Sequence, residues 1–71
     1  MKTRNHIVAK TIKACGLKSV GYVADKNEVD RKTIYNDFNS NKERFKERVL
    51  FAIDSESEEK RERAELILGA L

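Results

Sequence analysis

Seventy-one residues with 38% charged side chains, three glycines and no proline hold one small domain and disfavour tight β-hairpins, so the composition reads as all-α. The net charge of +3 is uneven, because residues 1–54 carry twelve Lys or Arg against seven Asp or Glu, while residues 55–71 carry three against five. One cysteine, Cys15, and a longest apolar run of five residues, Val49 to Ile53, exclude a disulfide scaffold and a membrane span of roughly 20 residues, and imply a cytoplasmic protein.

In chain order, Ile7, Val8, Thr11, Ile12 and Cys15 form one stripe of a first helix from about Arg4 to Ala14, in which Lys10 and Lys13 interrupt any export-signal core. Gly16 supplies a left-handed cap for that helix, and Leu17 can fold back on its last turn. Ser19 caps a second helix, from Val20 to about Lys26, with Val23 and Ala24 facing inward. Asp30 then caps a third, and Val29 with Ile34 has the spacing of a hydrophobic staple.

At 100° per residue, Ile34 and Phe38 share the inner face of the third helix, while Lys32, Thr33, Asn36 and Asn39 fall on the outer one. Ser40 and Glu43 have the S-x-x-E spacing of a capping box for a fourth helix, whose apolar stripe is Phe45, Val49, Ala52 and Ile53. Ser55 and Glu58 repeat that spacing before a fifth helix, which also has Glu56–Lys60 and Glu59–Arg63 at i,i+4. Its apolar residues Ala64, Ile67, Leu68 and Leu71 come late, so either they close the core of their own subunit or they form a dimer seam. The fourth and fifth helices are compatible with one continuous helix.

The segment from Ser19 to Asn39 is two short helical patterns around a Val-Asp turn, the pattern of a helix-turn-helix. Over about 25 residues, Val23-Ala24, Val29-Asp30, Arg31, Thr33, Ile34-Tyr35, Phe38 and Ser40 with Lys42-Glu43 resemble the DNA-binding segment of tetracycline-repressor-type regulators. Glu28 stands in the slot of that family's turn glycine, Lys32 in that of a second glycine, and Asn41 is an extra residue. The family continues into a large ligand-binding domain that this sequence lacks. The resemblance therefore implies a reading head without a sensor, of the size of small phage or plasmid regulators, with no small-molecule ligand.

The resemblance further implies that Arg31, Lys32, Thr33 and Asn36 face base edges or nearby phosphates, and that Tyr35 packs on the backbone with its hydroxyl on a phosphate. The residue types suit that chemistry: Asn pairs with adenine, Lys or Arg with guanine, and a Thr methyl meets a thymine methyl. Asn39 joins this base-reading set by its place on the outer face, and Lys18, Ser19 and Lys42 stand near helix N-termini that favour phosphate. Asp37 is a counter-signal, expected to lie off the contact face.

The expected architecture is a compact four- to five-helix bundle, with residues 1–54 as the helix-turn-helix core and residues 55–71 as a C-terminal helix for core closure or dimerisation. The expected function is sequence-specific binding of double-stranded DNA by a homodimeric transcriptional repressor, with Ile67, Leu68 and Leu71 at the joint. The alternative is a helical interaction module docking on an acidic protein partner. An enzyme is not expected: His6 and Cys15 are the lone residues of their kinds, on different faces of the first helix, and they supply neither a catalytic pair nor a metal or cofactor site.

Overall fold

A computed structural model describes residues 3–54 and 56–71 and forms them into five helices, with no strand among them: α1 Thr3–Ala14, α2 Val20–Asn27, α3 Arg31–Ser40, α4 Lys42–Ile53 and α5 Glu58–Gly69. The fold is all-α, and α4 and α5 are separate helices.

Local chemistry sets the boundaries. At the end of α1, Gly16 has φ +91°, its N–H donates to the Lys13 carbonyl at 2.9 Å, and the Leu17 N–H donates to the Ile12 carbonyl at 3.2 Å. Those are the two bonds of a Schellman cap, and they turn Leu17 back into the core, where it is buried. The Ser19 hydroxyl oxygen then accepts from the Tyr22 N–H at 3.2 Å and starts α2.

The end of α2 repeats the Schellman geometry without a glycine. The Glu28 N–H donates to the Asp25 carbonyl at 3.1 Å, the Val29 N–H donates to the Ala24 carbonyl at 2.9 Å, and Glu28 takes the left-handed conformation with φ 58° and ψ 44°. A side chain on Cβ is unfavourable there by about 1 kcal/mol or more. Glu28→Gly is therefore expected to raise the unfolding free energy by about 0.5–1 kcal/mol after the extra freedom of glycine in the unfolded chain is discounted, read as a higher denaturation midpoint at unchanged slope. A lower midpoint would show that the Glu28 side chain stabilises the turn.

Two expected caps differ from the structure. Asp30 occupies the N-cap of α3, but its side chain makes no capping hydrogen bond. Ser40 does not cap α4: it is the last residue of α3, and its hydroxyl donates to the Asn36 carbonyl at 2.7 Å. Asn41 takes the cap instead, with its side-chain oxygen accepting from the Arg44 N–H at 3.1 Å. The run Asn39-Ser40-Asn41 offers three cap formers in succession, and the last of them wins because α3 extends to Ser40. The capping box expected from Ser55 lies outside the described residues, while Ser57 caps α5 by accepting from the Lys60 N–H.

The helices meet over one core of Val8, Ile12, Cys15, Leu17, Val20, Val23, Ala24, Ile34, Phe38, Phe45, Val49, Ala52, Ile53, Ala64 and Leu68. Among these, α4 packs against α2, α3 and α5, and α1 closes on the same three helices. The rings of Phe38 and Phe45 meet edge to face, with centroids 5.0 Å apart at 82°. Burial pushes the Cys15 thiol up to about 11, as suits a small apolar filler rather than a nucleophile. His6 is exposed, and Ile7, expected on the inner stripe of α1, is also exposed because it lies at the edge of that stripe.

Polar links tie α5 to the body. The Tyr22 hydroxyl donates to Glu56 Oε2 at 2.6 Å, Lys60 Nζ reaches Glu56 Oε1 at 3.0 Å, and Arg61 pairs with Asp54 and with Glu65. The expected Glu59–Arg63 pair does not form. The Tyr22 hydroxyl first, and then Lys60, hold the Glu56 carboxyl below its ordinary value.

A carboxyl lowered on folding stabilises above its unfolded value, about 4.3 for glutamate, and that contribution is lost as the pH falls through the lower folded value. Thermal unfolding followed from neutral into acid pH should therefore show a smaller loss of stability in Glu56→Gln than in the wild type. Identical acid slopes in the two proteins would disprove the link.

Candidate nucleic-acid interface

With Ile34 and Phe38 turned into the core, α3 presents its other side to solvent. Arg31, Lys32, Asn36 and Asn39 are all exposed there. Among the described residues, none of these four side chains is engaged in a hydrogen bond or an ion pair. The contact at Asn36 uses its main-chain carbonyl, which leaves the side-chain amide free with both donor and acceptor. Thr33 and Tyr35 are half-buried at the two edges of this face, and Tyr35 packs against the core.

The residues expected on phosphate lie at helix starts. Lys18 is exposed immediately before α2, and Ser19 is its N-cap, so the hydroxyl oxygen is already used by the Tyr22 N–H. Arg31 lies across this point: a Cβ on Gly21 would stand 3.5 Å from Arg31 Nε and 3.6 Å from Ser19 Oγ. The beginnings of α2 and α3 are thus close together, and Ser19 and Arg31 share one corner. At the far end of α3, Lys42 Nζ sits 4.4 Å over the Phe38 ring, a cation–π contact that restrains a cation at the start of α4.

Asp37 is removed from this surface by a partner that the sequence pattern does not single out. Its Oδ2 accepts from Arg48 Nε of α4 at 2.5 Å, with both side chains more than four-fifths buried. The main-chain carbonyl of Arg48 in turn accepts from Asn27 Nδ2 at 3.0 Å, and the same amide donates to the Val23 carbonyl at 2.9 Å. One polar relay therefore joins the end of α2, the flank of α3 and the middle of α4. It neutralises the only carboxylate in the body of α3.

The three residues expected at a dimer joint separate. Leu68 is only 2% exposed, sealed in its own protomer, which makes it unavailable to a partner. Ile67 is half-buried against that core, and of the three only Leu71 is exposed. The last turns of α5 thus act in core closure through Ala64 and Leu68, while Leu66 projects outward at 79% exposure. LILGAL is apolar nearly all round, so its spacing alone does not select the inward face.

Among the described residues, no three His, Cys, Asp or Glu side chains are grouped to hold a metal, and no helix is long and apolar enough to cross a membrane. No family model, curated protein or solved structure matches the chain.

Proposed function

We propose that this protein is a sequence-specific double-stranded DNA-binding transcriptional regulator, a repressor acting as a homodimer, with α2 and α3 as its helix-turn-helix. The observation that carries this reading is the outer face of α3: two cations and two amides are exposed and unpaired, over an inner face held by Ile34 and Phe38. An amide free in both donor and acceptor can pair with the N6/N7 edge of adenine, and Arg or Lys can donate to O6/N7 of guanine. Around them, Lys18, Arg31 and Lys42 supply positive charge for phosphates, and Asp37 is neutralised by Arg48. A cytoplasmic setting, as for small phage or plasmid regulators with the same type of reading head, belongs to this proposal.

A two-turn reading face touches few base pairs, so useful specificity calls for two copies on half-sites about 34 Å apart. Selection of bound duplexes from a random pool should return a palindrome. Affinity should fall with log salt at a slope of about −0.9 per neutralised phosphate, and Asn36→Ala should relax preference at one position of each half-site by about 1–3 kcal/mol. An unchanged preference in that variant would remove Asn36 from base reading. A salt-independent affinity, or none, would point to the docking of an acidic protein on the same basic body.

A further inference from the structure

Gly21 lies inside α2, where the backbone does not call for a glycine. Of the glycines only Gly16 has a positive φ, so at position 21 another residue would keep the same conformation and would favour a helix of only eight residues that glycine weakens. What stands over the missing side chain is Arg31. A Cβ at position 21 would lie 3.5 Å from Arg31 Nε and 3.9 Å from Arg31 Cζ, whereas the same point on Gly69 has nothing within 4 Å.

Arg31 is the first residue of α3, and helical side chains lean towards the N-terminus of their own helix. That direction carries the guanidinium away from the outer face of α3 and onto the first turn of α2. Contact alone holds it there: the Arg31 side chain is exposed and makes no hydrogen bond or ion pair among the described residues, so its donors stay free for a ligand. Lys18, exposed one residue before Ser19, adds a second cation to the same corner. An arginine that reads guanine must extend from the reading helix to the base edges in the groove. One folded onto the neighbouring helix stays with the body of the protein, at the level of the DNA backbone, and its flat group loses little further freedom on meeting a phosphate.

We infer that Gly21 is a positioning residue: its missing side chain lets the Arg31 guanidinium lie on α2, where it binds a DNA backbone phosphate and takes no part in base reading. This inference rests on the proposed DNA-binding function and deepens it at one residue. Base reading is left to Lys32, Thr33, Asn36 and Asn39.

Duplex binding by the full chain over a range of salt, together with selection from a random pool, tests it. Arg31→Ala should weaken binding about tenfold or more at low salt, reduce the salt slope by about 0.9 for each copy bound, and return the same selected sequence as the wild type. Gly21→Val sets two further carbons on Cβ in a nearly fixed rotamer and crowds Arg31 off α2, so it should reproduce both the loss and the shallower slope. Adding Arg31→Ala to it should cost little more. Gly21→Ala places its carbon at ordinary contact distance and should bind like the wild type. Neither substitution should lower the denaturation midpoint, because alanine and valine both favour a helix over glycine. A changed consensus in Arg31→Ala would return Arg31 to base reading and overturn the inference. So would wild-type affinity and slope in Gly21→Val, or losses in Gly21→Val and Arg31→Ala that simply add. Each of those outcomes leaves the DNA reading standing, whereas a wild type that binds no duplex at any salt would overturn that reading and this inference with it.

Discussion

Phe45→Ala is expected to lower the unfolding free energy by about 3–5 kcal/mol, the usual range for removing a fully buried aromatic. Phe45 has no exposed surface, lies on the helix that packs against three of the other four, and holds the edge-to-face contact with Phe38. A domain of this length is stable by only about 4–10 kcal/mol at 0.05–0.15 kcal/mol per residue, so the loss takes from about a third of the total to all of it. At about 4–8 °C per kcal/mol for a domain of this size, the melting temperature should fall by tens of degrees, and a protein near the lower bound will not fold at all. Phe45→Leu keeps most of the volume and should cost clearly less. Denaturant unfolding followed by circular dichroism distinguishes the two. A loss below about 1.5 kcal/mol in Phe45→Ala would mean that the site collapses around the cavity rather than depending on the ring.

Features fixed by neighbours within one or two turns were legible in the sequence. Gly16 with Leu17, Ser19 before α2, and the stripe Phe45, Val49, Ala52 and Ile53 all follow from local hydrogen bonding or from a period of 3.6, and all appear as expected. The turn at Glu28 was legible only as a slot: a glycine position filled by glutamate still takes the left-handed conformation, because both Schellman bonds and the burial behind Val29 hold it there. Features decided by contacts between distant helices were not legible. The partnership of Asp37 with Arg48 spans eleven positions and depends on how α3 crosses α4, and the inward choice of Leu68 over Leu66 depends on where α5 lands. Asn41 instead of Ser40 as the cap was a choice among three adjacent cap formers, settled by one further residue of helix in α3. For the outer face of α3 the sequence sets which residues lie there, and the structure adds that the amides and cations are unpaired.

Arg48→Leu is expected to cost about 1.5–3 kcal/mol of stability and, under the proposed DNA-binding function, to weaken DNA binding through the same uncompensated carboxylate. The stability loss follows from leaving the Asp37 carboxylate mostly buried without its cation, which costs more than the net value of the pair itself, while the remaining exposure of about one-sixth on each side keeps it below the cost at a dry site. The leucine keeps the bulk of the arginine stem against α3, and the Asn27 bond survives because it is made to the main-chain carbonyl. The DNA effect follows from charge: an unpaired carboxylate on the flank of α3 repels phosphates at a distance that salt only partly screens. Asp37→Asn placed in the Arg48→Leu background removes the uncompensated charge that underlies both losses, without restoring the bond between helices. Affinity at low salt should return towards the wild-type value in that double variant, and most of the lost unfolding free energy should return with it. If stability recovered without affinity, Arg48 itself, and not relief of the Asp37 charge, would be what DNA binding needs. If affinity did not fall in Arg48→Leu at all, Asp37 would lie too far from the phosphates for its neutralisation to matter to the reading face.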